Sequence, residues 1–213
     1  MKSTQLLTAT ALLLLVSGCN TDPGKGKTQA VAAAPVEAPA AAAPVDAVAA
    51  KWQINADNSS IEFVGAKISD THEGSFKDFS GQVEITENDP TKSKVSLEIK
   101  IASLAIEPPK LAGHLISADF FDVEKFPTAT FESTSITKTA KEGEFTVTGN
   151  LTLRGVKKSI SFPAQLKASD TNVSADAEFA IQRKDFGIIY PGMPDDLIKD
   201  NVLIRLKLNP KKG

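Results

Sequence analysis

The sequence predicts an all-β domain, either a closed up-and-down barrel or a sandwich, built from about eight antiparallel strands. Three observations predict it. From residue 51 onward, apolar and polar residues alternate with a period of two, the pattern of strands covered on one face only. Turn-forming clusters separate the alternating runs by short gaps, which makes sequential strands antiparallel neighbours. One segment alone breaks the alternation with helical spacing.

The elements follow in order. Trp52, the only tryptophan, opens the domain, and strands are expected over Ser60–Ile68 and Gly74–Thr86. Glu87-Asn88-Asp89-Pro90 is a turn. Val95, Leu97, Ile99 and Ile101 then alternate with Lys94, Ser96, Glu98 and Lys100. Pro108-Pro109 starts the non-strand region, where Leu111, Leu115 and Ile116 have helical spacing. Phe126-Pro127 ends it, giving a short helix and a turn at one mouth of a barrel. A strand over Thr128–Ile136 leads to the turn Lys141-Glu142-Gly143. Phe145, Val147, Gly149, Leu151 and Leu153 mark the next strand, and Arg154-Gly155 turns the chain into Ile160, Phe162, Ala164 and Leu166. After Ser169-Asp170 come Val173, Ala175, Ala177, Phe179 and Ile181. Val202, Ile204, Leu206 and Leu208 form the last strand.

The first 50 residues have a different character. Met1-Lys2 precede an apolar run from Leu6 to Val16, and Ser17-Gly18-Cys19 follow. The run is too short to span a bilayer, which takes about 20 residues, and has the layout of a secretory signal. Small residues leading into cysteine resemble the bacterial lipoprotein signal. That resemblance implies cleavage after residue 18 and acylation (palmitate or a similar chain) of Cys19, the only cysteine. Residues 20–50 lack aromatics and carry Pro35, Pro39 and Pro44 among alanines, so they read as an extended linker between the acylated Cys19 and the domain at 51–213. With no second cysteine, no intramolecular disulfide forms. The formal charge of −2 argues against nucleic acid as a partner.

His114 through Phe131, with Leu115-Ile116-Ser117-Ala118-Asp119-Phe120-Phe121-Asp122-Val123-Glu124-Lys125-Phe126-Pro127 between, resembles the signature of the YceI-like family. Trp52–Phe63, Val147–Val156 and Ile181–Gly187 resemble three further pieces of that family, in order. The resemblance spans residues 51–209. It implies a lipocalin-like antiparallel up-and-down barrel with a short helical segment at one mouth and a long apolar cavity for a polyisoprenoid, such as a quinone side chain or a prenyl phosphate. Many family members are periplasmic and some carry lipoprotein signals; with the lipoprotein-like Cys19 this implies a lipid-anchored place in the cell envelope, and Asn20 after the cysteine, instead of aspartate, favours the outer membrane facing the periplasm if the cell is Gram-negative. Many family members carry an Arg-Asp pair just before the histidine of the signature. Here Leu111 and Ala112 stand there, with Lys110 the nearest base.

Candidate pocket residues are the inward positions Phe63, Phe131, Phe145, Val147, Leu151, Phe162, Phe179 and Ile204. An apolar lining selects an apolar ligand, because a polar one loses water without gaining partners. The same residues can also simply fill a dry core. Candidate mouth or lid residues are His114, Phe120, Phe121, Phe186 and Tyr190. His114 near Asp119 and Asp122, and His72 beside Glu73, show no metal-ligand spacing and read as packing or turn residues. Asp195-Asp196 read as solvated carboxylates on a loop tip; Gly149 and Gly155 serve close packing and a turn. No nucleophile elbow or phosphate loop occurs, so no enzymatic activity and no cofactor are expected beyond a bound isoprenoid or quinone lipid. The expected function is a membrane-anchored lipid carrier. The alternatives are a quinone-dependent enzyme or electron-transfer accessory, and a structural envelope barrel without ligand.

Overall fold

The computed structural model describes residues 22–30, 32–37 and 50–213. Fourteen strands run in chain order: β1 Ala50–Asn55, β2 Ser59–Ala66, β3 Thr71–Phe76, β4 Phe79–Ile85, β5 Lys94–Lys100, β6 Leu104–Ile106, β7 Thr128–Lys138, β8 Glu144–Leu153, β9 Val156–Ala168, β10 Val173–Gln182, β11 Gly192–Met193, β12 Asp196–Leu197, β13 Asn201–Leu208 and β14 Lys211–Lys212. Among the described residues one α-helix, α1 Pro109–Ile116, lies between β6 and β7.

Twelve strands make one antiparallel sheet in the order β14-β1-β4-β5-β7-β8-β9-β10-β13-β2-β3-β6. The expected count of about eight differs for a simple reason. β1 and β2 are two halves of one long strand bent at Ala56–Asn58, and β3 and β4 are halves of another, bent at Lys77-Asp78. β1 pairs with β4 and β2 with β3, so this bent ribbon belongs to both edges of the sheet and curls it into a barrel. The short β6 and β14 cap its edges.

Alternation places the apolar phase inside. Trp52, Ile54, Val83, Leu97, Phe131, Val147, Ile160, Phe162 and Phe179 are buried there in one cluster. Local sequence sets one turn and one close approach between strands. Arg154 and Gly155 have φ of 50° and 72°, positive at both central positions as a two-residue turn between right-twisted strands requires. Gly149 lies under Phe131, whose Cζ would be 2.4 Å from an added Cβ, so the glycine makes room for the ring.

The wall has a split. β9 and β10 are paired only from Gln165↔Asp176 to Ala168↔Val173. Beyond that, Ala177–Gln182 pair with β13 alone and Val156–Ala164 with β8 alone. Pro163 accounts for where the ladder stops. It lies on the same phase as Ser159, whose N–H and C=O both point away from β8, so a proline at 163 offers no donor towards β10.

The N-terminal segment, read from the sequence as an extended linker, lies along that split where it is described. The Ala30 N–H donates to the Ala180 carbonyl at 2.8 Å, and the Ala180 N–H donates to Thr28 at 2.9 Å. Ala33 and Ser159 exchange both backbone hydrogen bonds, at 2.8 and 3.0 Å. Asn150 brackets Val36, accepting from its N–H at 3.0 Å and donating to its carbonyl at 2.7 Å. At the other end the Asn201 amide donates to the Asp22 carboxylate at 3.1 Å, and Lys27 pairs with Glu178. Ala30 is buried with the barrel core. Alanines suit the place because they let the backbone approach unpaired amides closely. Cys19, the signal-like residues and most of the proline-broken stretch up to residue 49 lie outside the described residues.

Candidate functional site

Inside the barrel lies a cavity of about 200 Å³, bounded by inward side chains of the sheet strands. Phe63, Phe131, Val147, Leu151, Phe162, Phe179 and Ile204 line it, as do Ala164, Leu166, Val173, Ala175, Ala177 and Ile181. Phe145 is buried in the core but lies off the lining, on the same phase as Val147 and nearer the barrel end away from the helix. Rings order the wall. Phe162 stacks on Phe179 at 4.0 Å between centroids with 13° between planes, and Phe131 meets Phe162 at 5.8 Å. Phe63, Phe76 and Phe121 form a second row. The Phe162–Phe179 stack joins β9 to β10 across the split.

Glu62, Lys167 and Arg183 are the charged residues along the cavity. Glu62 and Lys167 belong to the outward phase of β2 and β9. Arg183 is on the inward phase, one step past Ile181, and 4% exposed. Its guanidinium is committed to backbone: Nη1 donates to the carbonyls of Ile188 at 2.7 Å and Tyr190 at 2.8 Å, Nε to Lys199 at 3.1 Å, and Nη2 to Ile198 at 3.3 Å. Asp200 Oδ1 lies 3.3 Å from Nη2 as an ion pair. Burial lowers the Arg183 pKa and Asp200 opposes this; a guanidinium stays charged in either case. Arg183 thus pins the loop after β10 across the barrel end. The inward alternation of β10, continued by one step, is the signal that finds it.

The same end carries the other lid candidates. Phe186 is fully buried and Phe120 nearly so, while Phe121 reaches the cavity. His114, on α1, lies edge-on to Phe120 at 5.0 Å and to Tyr190 at 5.2 Å, and Phe120 meets Tyr190 at 5.3 Å. His114 Nε2 is 3.0 Å from Asp119 Oδ2. Arg154 donates to the carbonyls of Gly187 and Ala118, tying the β8–β9 turn to the lid and to the segment after α1. Ile188, absent from the sequence-based candidates, is buried and lines the cavity.

Asp196 is not simply solvated. It accepts from Lys67 Nζ at 2.6 Å, Ser69 N at 2.9 Å and Ser69 Oγ at 2.9 Å, which holds the β11–β12 hairpin to the β2–β3 turn. The Lys67 hydrogen bond foremost keeps the Asp196 carboxyl below the usual aspartate range. Around this hairpin Ile189, Met193 and Leu197 are exposed apolar residues. Among the described residues no helix is long and apolar enough to cross a membrane, and no cluster of three or more His, Cys, Asp or Glu is arranged to hold a metal.

A family model for the YceI-like domain matches residues 52–209. A Pseudomonas putida protein called UPF0312 protein is 36% identical over 156 residues, 68% of this chain and 80% of that protein. Protein YceI of Salmonella arizonae is 40% identical over 122 residues, 54% of this chain and 62% of that protein. A solved polyisoprenoid binding domain from Saccharophagus degradans shares the fold with a TM-score of 0.62 and 16% identity, covering 78% of this chain and 99% of that domain.

Proposed function

The chain belongs to the YceI-like family, and on that premise we propose that it holds an isoprenoid or similar apolar chain in its barrel, for transport, storage or sequestration. The observation that carries the reading is the lining. Apolar side chains from the sheet face a cavity whose one inward charge, Arg183, is bonded to backbone and Asp200. Such a space takes a hydrocarbon, at about 25 cal/mol per Å² of apolar surface removed from water, and repels a polar solute. The ligand's polar end then stays outside. Binding proceeds without covalent change to the ligand.

The carrier is tethered through an acylated Cys19 in the cell envelope, in the outer membrane if the host is Gram-negative. Only two residues separate Cys19 from Asp22, which is bonded to Asn201 at the start of β13. At roughly 3.5 Å per residue the acyl anchor then reaches no more than about 10 Å from the barrel. Asn201 is four residues past the exposed Leu197, so tether and apolar hairpin share one end of the molecule. The tether thereby keeps the lid end near the bilayer instead of spacing it away.

The test is mass spectrometry of organic extracts from the full-length protein purified from membranes, paired with thermal unfolding in the presence of geranylgeraniol. Recovery of a prenyl lipid and a concentration-dependent rise in melting temperature are expected. No lipid and no shift would overturn the carrier reading. A Cys19→Ser chain should lose acylation and leave the membrane fraction; acyl-dependent anchoring in that variant would refute the tether.

A further inference from the structure

We infer that the split between β9 and β10 is a lateral portal to the cavity, and that the chain's own N-terminal segment is its removable stave. The inference rests on the proposal that the barrel holds an apolar chain. Both lips carry backbone groups that no neighbouring strand satisfies: Ala180 on β10, and Ser159 on β9 beyond Pro163. The segment meets them as an interposed strand would, parallel to β10 at Gln29↔Ala180 and antiparallel to β9 at Ala33↔Ser159. An unpaired amide in a barrel wall facing hydrocarbon is costly, so the closed state needs this segment.

The stave is held by hydrogen bonds more than by packing. It carries alanines here, so it buries little apolar surface, and its side-chain ties are the exposed Lys27–Glu178 pair, the half-buried Asp22–Asn201 contact and the Asn150 amide on Val36. Behind it the closure is one aromatic contact, Phe162 on Phe179, whose rings also line the cavity. The two barrel ends are built differently: Arg183, Arg154 and the His114–Phe120–Tyr190 cluster lock the helix end, and the 3₁₀ turn Pro90–Lys92 packs over the other. Lifting one segment opens a slot along the side, and a long flexible chain can pass through a slot without threading end-on. The stave continues directly from Cys19, so the portal lies on the tethered side of the barrel.

The test uses the full chain with Cys19→Ser, carrying Ala33→Cys and Ser159→Cys as its only thiols. These positions are a directly paired cross-strand couple within disulfide reach. Uptake of the apolar dye N-phenyl-1-naphthylamine is followed by stopped-flow fluorescence in the oxidised and reduced states. Uptake about tenfold slower when oxidised, and restored by reductant, is the expected result for a gated passage. An Ala30→Asp chain, whose buried carboxylate would lift the segment, should take up the dye faster than the parent. Equal rates in oxidised, reduced and Ala30→Asp proteins would overturn the portal while leaving the carrier reading intact. No dye uptake by any of them would overturn the carrier reading, and the portal with it.

Discussion

Filling the cavity from within should separate a carrier from a barrel that is merely packed. Ala177 lines the cavity midway along β10, between Ala175 and Phe179 and opposite Leu206. Ala177→Phe adds about six carbons to a space of about 200 Å³. At about 0.8 kcal/mol per buried carbon, a ligand excluded from that much of the channel forfeits about 5 kcal/mol of burial. Even a partial loss of about 3 kcal/mol weakens binding roughly a hundredfold. The ligand-free protein should meanwhile hold or gain stability, by up to about 2 kcal/mol, because the ring occupies volume that was empty. The assays are dye displacement by geranylgeraniol and thermal unfolding of delipidated protein. Ligand affinity within threefold of the parent, with the fold intact, would refute the channel as the binding site. A large drop in stability would instead show that the space is already filled by rotamers with no room for a ring.

Other perturbations follow from the same geometry. Arg183→Met leaves four carbonyls around the lid without their buried donor, while Asp200 keeps Lys184 at 2.9 Å, so urea unfolding should report a loss of about 3–5 kcal/mol. A loss under about 1 kcal/mol would mean the lid is held by something else. Gly149→Ala would bring a methyl group within 2.4 Å of Phe131 Cζ and 2.6 Å of the Glu132 carbonyl, and should cost about 1–3 kcal/mol in the same titration. Acid should release the stave. Lys27 first, and Arg205 after it, hold the Glu178 carboxyl below the usual glutamate range. Stabilisation from a carboxyl with a lowered folded pKa is complete above the ordinary value near about 4.3 and is lost as pH falls through the folded one. Amide exchange at Ala30 and Ala180 should therefore lose protection in that window, and Glu178→Gln should show the loss already at neutral pH. Chain length should matter too. A cavity of about 150 Å³ holds a benzene ring, so about 200 Å³ accommodates about eight carbons of extended chain. Affinity measured across an alcohol series should level off near that length.

The parts of the fold legible in the sequence are those with one covered face. Alternation marks β5, β8, β9, β10 and β13 and gives the correct phase for all of them, which is why inward residues such as Phe162, Phe179 and Ile204 could be listed from residue types alone. The helix at one mouth is visible through Pro108-Pro109 and the spacing of Leu111, Leu115 and Ile116; it starts at Pro109. What was hidden acts through backbone or through single charges. The stave makes its contacts mostly with peptide groups, joined by a few single polar side chains, which leave no periodic trace. Asp196 gains its partners from a turn more than a hundred residues earlier. Pro163 is a missed signal, since a proline inside a strand paired on both sides marks a missing ladder bond. Arg183 is another, a charge on a phase otherwise apolar from Val173 to Ile181.

The distribution of small residues bears on why the barrel is hollow. On most strands the inward positions hold Phe, Leu, Ile or Val, whereas β10 presents Ala175 and Ala177 and its neighbour β9 presents Ala164 and Ala168, with Ala129 on β7 a fifth. Leucine at these places would fill the space, and a cavity of about 200 Å³ left open forgoes about 5 kcal/mol of packing. A barrel with no ligand gains nothing from that sacrifice. A carrier recovers it each time a chain is bound. Four of these five alanines sit on the two strands that flank the split, so the hollow lies beside the stretch of wall whose hydrogen bonds are completed by a detachable segment. Vacancy and seam are thus properties of the same pair of strands. A hollow placed there by lipid traffic predicts that substitutions which fill it and crosslinks which seal the seam impair the same step, uptake, and leave the remainder of the barrel unchanged.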